Sequence, residues 1–544
     1  MCCLKRFLLL SLLTIFPIFL YAQITERERP VEWSDLVEGA RFMDRFLPMP
    51  QGEKAMNIWG TDDVQCRYID NGIEVPTLSI WGGNILQSTD GKYHLYVCGW
   101  PENSPRGHMF WGNSTVYHAV CDNPIGPFKI VNSIGKGHNP EAFRLIDGRI
   151  VVYVIDGYYM ADAEDSLVWT YGKFNFDPRG RKIIEGLSNL TFARRQDNSY
   201  LMVCRGGGVW ISRDGLSTYK QLTDKRVYPN VEGRFEDPVV WRDSLQYHLI
   251  VNDWLGRIAF YQRSKDGVHW VAEQGEAYVP GISYHADGEV EHWFKYERPK
   301  VRQDKEGRAV QMNFAVIDTI KWEDLPGDHH SSKNISIPLN KGLLLEVLNE
   351  EPITDKTRTI ELRIKGEEDF NPQVEVDVTS LRFGSFTEVN FGRGCKAWKT
   401  RNEGKDLVVI FKAKGSGIDG DEFAPKLIGR NKKGELLFGY ASLPYVDYRP
   451  ALLSARRPEY DEKEKVLKVE IENFGLSASH LQEVEIYCDG KLISSKIIQK
   501  LAPYETVNLV CPLSEAPKEE MIITYINESG KNEKNIFLIE KKHE

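Results

Sequence analysis

The chain lacks the short motifs that mark metal, phosphate or serine chemistry. It carries no C-x-x-C pair, no H-E-x-x-H, no EF-hand loop, no phosphate-binding glycine loop and no Ser-His-Asp signature. No metal and no cofactor is therefore expected. It also lacks a basic patch, and its net charge is −9, so nucleic acid is not an expected partner. Cysteine is scarce. After Cys2 and Cys3, seven are scattered from Cys66 to Cys511 in apolar, strand-like surroundings, which excludes a disulfide scaffold. Cys488 and Cys511 could be bridged, but the odd total favours buried free thiols. Long apolar runs are absent beyond residues 7–20. Lys5 and Arg6 precede that run and Tyr21-Ala22-Gln23 offers a small-residue cleavage point, so residues 1–22 read as a secretory signal. Its removal leaves no membrane span and takes the net charge to −11, since Lys5 and Arg6 are its only charges. An exported protein is expected, in the periplasm or at the cell surface.

What is present is a repeat. Over residues 79–318 one four-strand unit recurs five times, with a period of roughly 50 residues. The first hairpins align on their turns: Asp90-Gly91, Asp147-Gly148, Asp197-Asn198, Asp243-Ser244 and Lys305-Glu306-Gly307, each between two apolar runs. Asp-Gly and its relatives supply the positive φ that tight hairpins need. Later in the unit, Ser212-Arg213-Asp214-Gly215 and Ser264-Lys265-Asp266-Gly267 repeat as well. A four-strand sheet cannot bury both faces alone, so such units stack around an axis. The expected fold is all-β, with a five-bladed β-propeller over 79–340. Residues 23–78, helix-like over 33–46, would pack on it. A β-sandwich over 341–450 and a second, immunoglobulin-like sandwich over 451–544 would follow, divided at Tyr448-Arg449-Pro450.

Three repeats open with a carboxylate beside a proline: Asn139-Pro140-Glu141, Glu236-Asp237-Pro238 and Glu297-Arg298-Pro299. Proline is tolerated at a strand start, where it loses no ladder bond. Strand starts from different blades converge on one mouth of the axis, which makes Glu141, Asp237 and Glu297 candidate catalytic carboxylates. Crowded carboxyls raise at least one pKa, the condition for a general acid at neutral pH. Two carboxyls flanking a glycosidic bond hydrolyse it. His138, a step before the same place, is a candidate proton shuttle or hydroxyl partner. His285 lies in the polar run 285–292, which matches no established metal spacing and reads as a pocket-edge loop. Trp81, Trp100, Trp111, Trp241, Trp254 and Trp293 offer faces on which sugar C–H groups stack. Arg205 and Arg298 could receive an acidic sugar's carboxylate or sulfate. Asn84, Trp81, Arg205, Trp254, His285 and Arg298 are the expected carbohydrate-binding residues.

These residues give residues 79–340 a resemblance to the five-bladed propeller glycoside hydrolases, the group that includes families 32, 43, 62 and 117. Its carriers are Glu236-Asp237-Pro238, Glu297-Arg298-Pro299, the hairpin at 264–270 and the Gly126-Pro127-Phe128 of the first unit. The resemblance implies an exported glycosidase acting on a plant or algal saccharide with inversion, and the late acidic motifs are nearest to family 117, which acts on agar-derived oligosaccharides. Two departures stand out. Those families place an aspartate base on the first inner strand, where this chain reads Trp81-Gly82-Gly83-Asn84, and asparagine takes no proton from water. Family 117 has a histidine before the later glutamate, where this chain has Tyr296. A polysaccharide lyase using His138 or Tyr296, and a glycan-binding protein without catalysis, remain the alternatives.

Overall fold

The structure is a computed structural model that describes residues 26–180, 187–526, 530 and 532–539. The signal over 1–22 lies outside the described residues. Among those described, no helix is long and apolar enough to cross a membrane. The chain is almost wholly β. Five antiparallel sheets follow one another in sequence, four of four strands and a fifth of three. Their first strands are Leu78–Gln87, Glu141–Arg144, Thr191–Arg194, Phe235–Arg242 and Lys295–Gln303. These pack side by side in a ring, the fifth returning to the first, in a propeller-like arrangement.

The N-terminal segment closes the ring. Ile73 bridges to Asn334 on the outer edge of the fifth sheet, and the Asn71 amide exchanges hydrogen bonds with the Ser336 backbone at 2.7 and 2.8 Å. A three-strand sheet thereby has its open edge covered. The expected helix over 33–46 is not formed. Two short 3₁₀ turns, Val31–Asp35 and Phe42–Arg45, stand there instead. Phe42 and Phe46 are drawn into the core between the fourth and fifth sheets, beside Trp241, Tyr261 and Phe314. Anchoring of that kind overrides a weak helical spacing.

The expected sandwich over 341–450 is a closed seven-strand barrel. Leu343–Val347 pairs in parallel with Leu436–Ser442, which joins the first strand to the last. The turn Pro372–Glu375, capped by the Asn371 side chain, leads into the strand Val376–Gly384. The barrel is locked to the fourth sheet by buried charge: Glu273 sits 2.5 Å from Arg263 and 3.1 Å from Lys426. Beyond it, two four-strand sheets share one core in which Val469, Ile486, Ile523 and Cys511 are buried. The seven described cysteines are all free thiols, Cys488 and Cys511 included.

Candidate active site

The five first strands share a feature that sequence inspection had registered only in part. A residue with left-handed φ recurs at one place in all five: Gly82 (63°, followed by Gly83 at 99°), Asp237 (51°) and Arg298 (51°) within the first, fourth and fifth strands, and Asn139 (57°) and Asn189 (48°) two residues ahead of the second and third. In the first, fourth and fifth strands the ladder slips there, between Trp81 and Asn84, Glu236 and Val239, and Glu297 and Lys300. Such a bulge turns the preceding side chain out of the sheet plane. Glycine, asparagine and aspartate take this conformation readily, whereas Arg298 does so only because its surroundings hold it. The neighbouring Gly83 is required, since a Cβ there would lie 2.3 Å from the Tyr96 carbonyl oxygen.

The left-handed residues form a polar floor across the axis. The Asn139 amide donates to the Asn189 Oδ1 at 2.9 Å, and the Asn189 amide donates to the Asp237 Oδ1 at 3.0 Å. Arg298 donates to Asp237 from its backbone N at 3.1 Å and from Nη1 at 2.7 Å, and from Nη2 to the Asn139 carbonyl at 3.3 Å. Asp237 was expected to be catalytic and Arg298 to bind substrate, and both do border the pocket. Their charged groups, however, are spent on each other. Asp237→Asn should therefore unfold at lower denaturant, by about 3–5 kcal/mol, because it leaves a buried guanidinium uncompensated. What folds should keep an alkaline limb in its pH–activity profile, moved to lower pH, because the Asp237 charge that helps raise the Glu236 carboxyl is gone.

The residue before each floor position faces the pocket instead: Trp81, His138, Ser188, Glu236 and Glu297. The loops between second and third strands build the walls, with His108, Met109 and Trp111 from the first sheet, Ile155 from the second and Arg205 from the third. Trp254 comes from the fourth, and Lys321 with Trp322 from the fifth. The cleft, open to solvent, has a volume of about 390 Å³, enough for a sugar unit or two.

Two glutamates in this ring have opposite electrostatics. Burial, with the adjacent Asp237 and Glu297 charges, raises the Glu236 carboxyl to about 7, against the pull of Lys321 and Arg205. Arg205 Nη1 is 3.3 Å from its Oε1. Burial alone would also raise Glu297, but the Lys295 and Lys321 ammoniums outweigh it and hold the carboxyl at about 2. Lys295 lies 2.5 Å away and Lys321 pairs with the other oxygen. Those two lysines are themselves seated over aromatic faces, Lys295 over Trp254 and Lys321 over Trp81. His138 is kept neutral by burial, reinforced by the Arg298, His108 and Lys321 charges. Its Nδ1 meets the Ser114 hydroxyl at 2.9 Å and its ring lies 4.8 Å from Trp111.

Three expected site residues lie elsewhere. Asn84 and Glu141 stand two places beyond the floor, where side chains join one sheet to the next. Asn84 accepts from the Ala142 N–H at 2.6 Å and donates to its carbonyl at 2.8 Å. Glu141 accepts from the Phe192 N–H at 2.8 Å and pairs with buried Lys300, and Thr191 accepts from the Val240 N–H at 3.2 Å. The residue that the first strand presents to the pocket is Trp81, not Asn84. His285 is buried against Tyr68, ring to ring at 4.0 Å, outside the pocket. Trp100, Trp241 and Trp293 are core residues, between 1 and 3 % exposed, whereas Trp111 is 38 % exposed. Glu236, Lys321, His108 and Trp322 were missed as site residues. Aligning the repeats on Pro140, Pro238 and Pro299 would have found Glu236, since His138, Glu236 and Glu297 all stand two residues before a proline.

No family model matches the chain, and no curated protein matches it in sequence. Several of the solved structures to which it is similar are glycoside hydrolases, at low identity. One is a family 117 glycoside hydrolase from Zobellia galactanivorans (12% identity, TM-score 0.35, covering 53% of this chain and 89% of that one). Another is an α-L-arabinofuranosidase from Lactobacillus brevis (12% identity, TM-score 0.34, 49% and 92%). A third is an endo-arabinase from Bacteroides thetaiotaomicron (11% identity, TM-score 0.31, 50% and 97%).

Proposed function

We propose that this protein is an exported glycoside hydrolase built on a five-bladed propeller, with Glu236 as its general acid. The observation that carries the reading is the split between two carboxylates in one pocket, Glu236 at about 7 and Glu297 at about 2. Environments that drive two carboxyls apart in this way assign acid and anion roles. Glu236 keeps a proton near neutral pH and can deliver it to the leaving oxygen of a glycosidic bond. Glu297 stays ionised and supplies negative charge opposite the oxocarbenium-like transition state. Trp111, Trp254 and Trp322 supply faces for sugar rings, the latter two meeting edge to face at 6.4 Å. Arg205, Ser188 and His138 supply hydroxyl partners.

The test is a panel of plant and algal oligosaccharides incubated with the full chain, followed by proton NMR of the first turnover. The reading expects a new reducing end and no new ultraviolet absorbance, and an inverted anomer is what the resemblance implies. An unsaturated, absorbing product would replace hydrolysis with elimination. Tight binding with intact glycan after long incubation would leave a binding protein.

A further inference from the structure

The second place where chemistry-bearing side chains meet lies away from the pocket. Cys66, His285 and Glu289 each bring one ligand-type atom within 4.8 Å of the others, and they are the one such group of three or more among the described residues. Sequence alone dismissed the run 285–292 because its internal spacing fits no metal. The fold supplies what the spacing lacks, a thiol from 219 positions earlier in the chain. Cys66 reaches it from a left-handed turn (φ 55°) just before the short strand Arg67–Tyr68. His285 and Glu289 come from the two arms of a tight hairpin, bridged at Tyr284 and Val290 and closed by the Glu289 carbonyl, which accepts from the His285 N–H at 2.7 Å.

Two observations point to a ligand here. His285 is 1 % exposed, yet its Nδ1 has no hydrogen-bond partner and its Nε2 meets only a carboxylate beyond hydrogen-bond distance. A buried imidazole left so costs free energy that a bound ion would recover. Its Nε2 is 3.6 Å from the Glu291 Oε1, the place where metal-bound histidines keep a carboxylate behind them. Glu291 is itself fixed by Ser283, Trp293 and the Tyr68 N–H at 2.7 to 2.9 Å. Second, the Cys66 thiol donates to the Glu289 Oε2 at 2.6 Å, so sulfur and carboxylate already face one another, and a cation would take the place of the thiol proton. Lys54, between Asp287 and Glu289 at 2.5 and 3.2 Å, now supplies that positive charge from the exposed side.

We propose that Cys66, His285 and Glu289 form a zinc site that pins the N-terminal segment to the 284–290 hairpin. One sulfur, one imidazole nitrogen and one carboxylate oxygen suit zinc, with water completing the tetrahedron. Binding releases the Cys66 proton, because the thiolate is the ligand. The hairpin runs on through Glu291 and Trp293 to Lys295 and Glu297, so the pin steadies the strand that carries half of the carboxylate pair.

The test uses the full chain stripped with a chelator and dialysed against zinc, with bound metal counted by mass spectrometry. Cobalt loading provides the second readout, a sulfur-to-cobalt charge-transfer band. Wild type should hold one ion per chain and show the band. Glu289→Gln, whose side chain is 54 % exposed and whose loss does not threaten folding, should bind at least about tenfold more weakly. Cys66→Ser should abolish the band. Metal below a tenth of an ion per wild-type chain, or equal loading in wild type and both variants, would overturn the proposal.

Discussion

Glu236→Gln should lower kcat by about 10²- to 10⁴-fold on a substrate with a poor leaving group, which is what a positioned general acid is worth. The same variant should lose far less on an aryl glycoside whose leaving group departs without protonation, because only the proton delivery is missing. Wild-type activity should fall as pH rises through about 7, the value to which burial and the neighbouring carboxylates bring Glu236. The protonated form is the active one, so the limb lost is the alkaline limb, and Gln at 236 should remove it. Stability carries the same sign. A carboxyl raised in the folded state contributes stability that is complete below its unfolded pKa of about 4.3 and is lost as pH rises toward 7. Glu236→Gln should therefore flatten the decline in unfolding midpoint over that interval. An aryl glycoside hit as hard as the natural linkage, or an alkaline limb that survives, would remove Glu236 from the acid role.

The repeat itself was legible because tight hairpins need particular residues. Asp-Gly, Asp-Asn and Asp-Ser turns fall at one place in the first four units and Glu306-Gly307 in the fifth, and the sheets begin where those hairpins put them, as with Thr191–Arg194. Which carboxylate faces the pocket was harder to read. Side chains on a strand alternate, so a one-residue error moves a residue from pocket to floor, and the left-handed bulge adds a further slip. Asp237 and Glu236 are adjacent in sequence, yet one is clasped by Arg298 and the other opens to the cavity. The barrel was hidden for another reason. Alternation over 343–442 is the same whether the last strand meets the first or faces a second sheet, and the parallel pair that closes it joins residues 96 apart, such as Leu343 and Gly439. Lys321 had no signal at all, since it lies on an irregular loop and acquires meaning only from the two carboxylates it faces.

Glu297→Gln should damage both stability and turnover, and the two losses can be separated. Burial without partners is what Glu297 prevents: Lys295 and Lys321 both point at it, and removing its charge leaves two ammoniums without their shared counter-charge, Lys295 fully buried and Lys321 at the pocket wall. Breaking a buried pair in this way costs about 3–5 kcal/mol. Because the folded carboxyl is held down at about 2, its contribution is complete above the unfolded value of about 4.3 and fades as pH falls through 2. The gap between wild type and variant should thus be widest near neutrality and shrink below pH 4. Burial lowers the Lys295 pKa, so its charge is the easier to lose, whereas Lys321 keeps the Glu236 and Asp237 carboxyls to hold its pKa up once Glu297 is gone. The double variant Glu297→Gln/Lys321→Gln should accordingly regain much of the lost stability in chemical denaturation. It should not regain activity. Loss of a preorganised charge facing the transition state is worth about 10²- to 10³-fold in kcat, and no neighbour replaces it. A double variant that recovers turnover together with stability would show that Glu297 only balances the lysines and takes no part in the chemistry.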